Sequence, residues 1–153
     1  MRSPLDTQAL LAHRYPFLLI DRITAVEDGV SAEGIKLVTG NEWFFGGRGA
    51  GGGFPMGTRA VPGALVVEAL AQLTAAVLLG LVDESEGAVG YFMGLDQVRY
   101  RGFAKPGDEI RLTAKLLRFR RGICRTRGEA WVNEKRIVRA EITTAVRPAP
   151  RRL

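Results

Sequence analysis

The residue in this chain whose type and setting most invite chemistry is Glu68. It interrupts an apolar run at about residues 64 to 82, with Gln72 one helical turn later on the same face. A carboxylate in such a run has two open readings. It is satisfied by a partner across an interface or by backbone donors, or it is an acid/base group whose carboxyl is shifted upward by desolvation. Gly63 adds to the second, because the first backbone amides of a helix can hold a carbonyl oxygen or an oxyanion. On that reading Gly63 and Glu68 flank one substrate.

The other candidates are weaker. Gly47-Arg48-Gly49-Ala50-Gly51-Gly52 has the letters of G-x-G-x-x-G. The dinucleotide fingerprint, however, needs a helix opening at the loop inside a βαβ unit, and Pro55 and Pro62 intervene. No Gly-Lys-Ser/Thr follows, so a loop is the better reading. His13, the one histidine, lies among aromatics and reads as structural. Cys124, between Ile123 and Arg125, could gain thiolate character from nearby arginines, but no Cys-His pair and no G-x-S-x-G elbow accompanies it. Arg118, Arg120, Arg121, Arg125 and Arg127 cluster across an expected hairpin with Phe119 as the single interleaved aromatic. A nucleic-acid groove would want more stacking rings, so nucleic acid is a minor alternative to an acidic protein partner.

The elements that must position these residues are legible in outline. Ser3-Pro4 and Asp6 predict a short helix over Leu5 to Ala12. Phe17 to Val26 and Val30 to Thr39 predict strands joined at Asp28-Gly29. Seven of the 19 glycines fall between Asn41 and Val61, which favours loop. Pro62-Gly63 then opens a helix of about residues 63–81, apolar on nearly every face and expected to be buried all round. Val89 to Arg99, Glu109 to Arg118, Ile123 to Val132 and Arg136 to Val146 alternate like antiparallel strands, separated by Pro106-Gly107-Asp108, Arg121-Gly122 and Asn133-Glu134. The expectation is one α+β domain over residues 1–153, with no internal repeat.

Composition agrees with a globular chain: 153 residues, 46% hydrophobic and 25% charged. At this size folding buries roughly 70% of the unfolded surface, so no staple is required. One cysteine and one histidine exclude a disulfide scaffold and a zinc finger, and no metal is expected. No secretory leader or membrane span is expected, so the cytoplasm is the default location. The net charge of +6 suits an acidic partner.

Five stretches, in this order and spacing, give the chain a family likeness: His13-Arg14-Tyr15-Pro16-Phe17-Leu18-Leu19-Ile20-Asp21-Arg22, Asn41-Glu42-Trp43-Phe44-Phe45, Pro62-Gly63 through Glu68-Ala69-Leu70-Ala71-Gln72, Phe92-Met93-Gly94-Leu95-Asp96 and Lys105-Pro106-Gly107-Asp108. They resemble the (3R)-hydroxyacyl-acyl-carrier-protein dehydratases of type II fatty-acid synthesis over nearly the whole chain. The resemblance implies a hot-dog fold, an antiparallel sheet wrapped around the central helix, in dimers that often assemble into hexamers. It also implies an acyl tunnel at the dimer interface, entered by the phosphopantetheine arm of an acyl carrier protein, and no cofactor beyond that arm. The family's catalytic pair is a loop histidine and a glutamate on the central helix of the other protomer.

In this likeness Glu68 matches the catalytic glutamate and Gly63 the glycine whose amide polarises the thioester carbonyl. Gln72, Phe54 and Pro55 join them as substrate-binding residues, and Arg118, Arg120, Arg121 and Arg125 form the carrier-docking rim. The family histidine's position falls on Gly53, after a loop lengthened by about Arg48 to Gly51. The expectation is therefore a dehydratase-like, acyl-thioester-binding protein of fatty-acid or polyketide synthesis. It would be impaired as a homodimer or act as the partner of a histidine-bearing subunit. A hot-dog thioesterase using Glu68 and a non-enzymatic acyl- or nucleic-acid-binding protein are the alternatives.

Overall fold

Gly63–Val77 form the one long helix of the computed structural model, in which residues 6–45, 60–78, 81 and 88–148 are described. In chain order the elements are α1 (Thr7–Leu10), β1 (Arg22–Glu27), β2 (Ser31–Leu37), a 3-10 turn (Trp43–Phe45), α2 (Gly63–Val77), β3 (Ala88–Tyr100), β4 (Glu109–Arg120), β5 (Ile123–Val132) and β6 (Lys135–Pro148). All six strands form one antiparallel sheet in the order β1-β2-β4-β5-β6-β3. β4, β5 and β6 are a meander whose two-residue turns, Arg121-Gly122 and Asn133-Glu134, hold both central residues at positive φ. That geometry matches the right-handed twist of the strands it joins.

The core lies between α2 and one face of the sheet. Leu70, Leu73, Ala76 and Val77 of the helix are fully buried against Ile23, Leu112, Ala130 and Ile142 of the strands. Gly128 on β5 permits a close approach of the helix, since a Cβ there would stand 2.9 Å from the Leu70 Cβ. Deeper along the helix, the hydroxyls of Thr74 and Thr126 satisfy each other at 2.9 Å and tie α2 to β5.

Several expectations change. The first helix is shorter than Leu5 to Ala12, with Asp6 as its N-cap accepting from the Gln8 amide. The first strand begins at Arg22 rather than Phe17, because the Phe17 carbonyl and the Leu19 amide are taken by the Gln72 side chain instead of by a ladder partner. Leu78 caps α2, so the helix stops short of residue 81. Nor is it buried all round: Ala64 is exposed and Glu68, Ala71 and Ala75 are half-buried, a stripe on the side the sheet does not cover. β3 is likewise open, with Tyr91, Phe92, Met93, Leu95 and Tyr100 all exposed.

Candidate functional site

Glu68 stands in the second turn of α2, its side chain 39% exposed and not sealed in the core. Oε1 accepts a hydrogen bond from Gln72 Nε2 at 2.9 Å and faces His13 Nε2 at 3.7 Å. Gln72 is buried, and its amide is fully employed within the chain. Nε2 also donates to the Phe17 carbonyl at 2.7 Å, and Oε1 accepts from the Leu19 amide at 3.0 Å. One side chain thus fixes both the catalytic candidate and the segment that carries His13.

That segment is held at two further points. The Arg14 guanidinium donates to the carbonyls of Leu11 and His13 at 2.7 Å each and of Gln8 at 3.0 Å. Trp43 Nε1 donates to the Pro16 carbonyl at 3.0 Å, and its ring packs 5.6 Å from that of Phe17. His13 was expected to be structural; the fold places it against Glu68. A separation of 55 positions hides this proximity in the sequence, and the Gln72 clamp, with Arg14 and Trp43, holds the segment in place.

Gly63 opens α2 after Pro62. The amides of Leu65 and Val66 already bond the Pro62 carbonyl, which leaves those of Gly63 and Ala64 without an acceptor among the described residues. A Cβ at Gly63 would stand 2.5 Å from Tyr100 Cε1, so the ring's position requires glycine. Gly63, Ala64, Tyr100, Gly102 and Phe103 line a cavity of about 300 Å³ that neither Glu68 nor His13 enters. Ala64, which lines this cavity, also begins the exposed stripe that carries Glu68 one turn further along α2. Gly53, Phe54 and Pro55 lie outside the described residues, as does the Gly47–Gly52 stretch.

The arginines regroup. Arg118 sits opposite Arg125 in the β4–β5 ladder, and Arg120 and Arg121 are exposed at the hairpin end. The concentrated positive charge is elsewhere: Arg99, Arg101, Arg125, Arg136 and Arg139 line a groove of about 350 Å³ on the sheet. At its centre Glu141 bonds Arg125 at 2.8 Å and Arg127 at 3.1 Å. The Arg127 hydrogen bond, aided by the charge of Arg125, holds the Glu141 carboxyl below its usual range against the opposing effect of burial. Among the described residues neither Arg99 nor Arg101 pairs with a carboxylate. The groove shares Ile137 and Val138 with the Gly63 cavity, so the two adjoin.

Cys124 does not gain the thiolate character that nearby arginines could have lent it. It is fully buried, and burial pushes its thiol up to about 11. Among the described residues no cluster of three histidine, cysteine, aspartate or glutamate side chains could hold a metal, and no helix is long and apolar enough to cross a membrane.

A six-stranded antiparallel sheet packed on one long helix makes this a hot-dog protein, and solved structures share the architecture. The dehydratase heterocomplex ApeI:P from Xenorhabdus doucetiae superposes with a TM-score of 0.74, covering 95% of this chain and 93% of the other at 19% identity. A thioesterase superfamily member from Thermus thermophilus gives 0.64 over 81% and 85% of the two chains at 17% identity. Both are likenesses of fold. Sequence is more specific: residues 11–141 match the FabA-like domain, and the chain belongs to that family. The 3-hydroxyacyl-[acyl-carrier-protein] dehydratase FabZ of Halalkalibacterium halodurans is 42% identical over 142 residues, which are 93% of this chain and 96% of that one. The FabZ of Bacillus subtilis is 43% identical over 145 residues, covering 93% and 98%.

Proposed function

We propose that the chain is a (3R)-hydroxyacyl-acyl-carrier-protein dehydratase-like protein of fatty-acid or polyketide synthesis, with Glu68 as its acid/base. The observation that carries this reading is Glu68 itself. It is a half-exposed carboxylate pinned by a buried amide, in a chain 42% identical to such a dehydratase along nearly its whole length. Dehydration of the thioester breaks the Cα–H and Cβ–O bonds, so it needs a base for the proton and an acid for the departing hydroxyl. The Gly63 and Ala64 amides suit the thioester carbonyl oxygen. The chemistry takes no cofactor other than the substrate's own phosphopantetheine.

Because Glu68 does not line the cavity at Gly63, a complete site takes each from a different copy, in a homodimer or trimer of dimers. The bare apolar surface of β3 supports such a partner. With Gly53 at the family histidine's position, a homodimer should turn over about 10²- to 10⁴-fold below a histidine-bearing relative. A heterodimer in which a partner supplies the histidine is the alternative assembly. Arg118, Arg120, Arg121 and Arg125 form the carrier-docking rim, extended by the groove at Arg99 and Arg101 next to the Gly63 cavity.

The test is hydration of crotonyl-pantetheine by the purified protein. Glu68→Gln should lower the rate about 10²-fold or more with the oligomeric state unchanged. Gly53→His should raise it in a Glu68-dependent way. An unchanged rate in Glu68→Gln refutes the assignment, and thioester hydrolysis in place of hydration moves the protein to the thioesterases.

A further inference from the structure

The sequence contains one histidine, so any imidazole acting in an assembly of identical copies must be that of His13. It lies beside the carboxylate already singled out, with Nε2 3.7 Å from Glu68 Oε1. In ligand-free proteins catalytic contacts are often this long and tighten when substrate enters. Both side chains stay reachable from solvent, 44% and 39% exposed, so a ligand lying over the helix can touch the two together. Their placement is also built. Arg14 binds the His13 carbonyl, and Gln72 holds Glu68 with one hydrogen of its amide and the His13-bearing segment with the other.

The geometry points to His13 as the catalytic imidazole partner of Glu68 in the same protomer, an inference that rests on the dehydratase reading above. The pair begins as carboxylate and imidazolium. Glu68 takes the proton from Cα, the electron pair of that C–H bond forms the Cα–Cβ double bond, and the Cβ–O bond breaks. The hydroxyl leaves as water with the proton donated by His13. A neutral carboxyl and a neutral imidazole then remain in contact, and one proton passing from Glu68 to His13 restores the starting pair. Substrate is converted to enoyl thioester and water with no proton gained or lost by the protein. The slow turnover expected of the homodimer is the turnover of this pair.

Hydration of crotonyl-pantetheine, the same cycle in reverse, is measured on the untagged protein. His13→Gln keeps a neutral hydrogen-bonding group but cannot carry the proton, so kcat should fall about 10²-fold or more while KM changes less than about threefold. His13→Ala should regain part of its rate with added imidazole, and Glu68→Gln should not. The double variant should be no slower than the slower single one, as for groups that act as a unit. Since His13 is the only imidazole, its ring-proton resonances need no assignment. In the wild type they should move on saturation with an unreactive amide analogue of crotonyl-pantetheine, a result that requires no variant to fold. Wild-type kcat in His13→Gln alongside an impaired Glu68→Gln, or ring resonances unmoved by the analogue, overturns the role of His13 and leaves the dehydratase reading standing. A wild type no faster than Glu68→Gln overturns that reading and this inference with it.

Discussion

Replacing Gln72 by methionine keeps a long unbranched side chain in the same place and removes the amide. Three hydrogen bonds go: to Phe17 O, from Leu19 N and to Glu68 Oε1. The Leu19 amide is buried, so losing its acceptor should cost about 1–3 kcal/mol. The Phe17 carbonyl is part-buried and can recruit water, which keeps its share near 1 kcal/mol. The sum, about 2–4 kcal/mol, corresponds to a fall in Tm of about 4–16 °C at this chain length. Urea and thermal unfolding would measure it, with protein concentration held constant because association of copies also shifts apparent stability. Hydration of crotonyl-pantetheine should fall as well, since Glu68 loses the donor that orients it. A variant within about 0.5 kcal/mol of wild type, the range of surface substitutions, would show that Gln72 is not the clamp described here.

With its thiol at about 11, Cys124 at pH 8 is about one part in a thousand thiolate, against about a quarter for an ordinary cysteine. It should react with a disulfide reagent at least about 10²-fold more slowly in the folded protein than in urea, and equal rates would place it at the surface. The lowered Glu141 carboxyl contributes stability that is present above the ordinary glutamate range and lost as pH falls through its folded value. Glu141→Gln should therefore destabilise the protein near neutral pH and flatten acid unfolding below about pH 4, and a parallel acid limb would remove Glu141 as its source. Arg99→Ala combined with Arg101→Ala should weaken binding of an acidic carrier protein about 3- to 10-fold at low salt and much less at high salt. If Arg118→Ala with Arg120→Ala weakens it instead, docking belongs to the hairpin end and not to the groove.

What could be read beforehand was local. Turn chemistry marked the ends of β4 and β5 closely: Gly107 is at φ 95°, Asp108 accepts from the Lys105 amide, and Arg121-Gly122 closes the next hairpin. What escaped depends on contacts far apart in sequence. Phe17 to Ile20 is apolar enough for a strand, but its polar backbone atoms are claimed by a side chain 53 and 55 positions away. The groove is assembled by strand register, which sets Arg99 beside Arg139 and Asp96 beside Glu141 across β3 and β6. The arginines near Cys124 in sequence do not reach its thiol's surroundings, since Ile123 and Arg125 point to the opposite face of the sheet while the thiol is buried. The helix was expected to be buried throughout because apolar composition reports that a surface wants cover without saying what covers it.

The same stripe links assembly to chemistry. Five residues along an α-helix turn its direction by about 500°, which leaves Gly63 and Glu68 about 140° apart around α2. The orphan amides open beside Tyr100 and the arginine groove, while the carboxylate opens beside His13. On the proposed dehydratase reading, a thioester held at its carbonyl by one copy would present its α- and β-carbons to the carboxylate of another. Stability asks for the same arrangement. Ala64, Ala71 and Ala75 beside Glu68, together with the uncovered residues of β3, are the apolar surface the chain cannot bury by itself. Part of the surface that is left uncovered thus lies on the same stripe of α2 as the carboxylate.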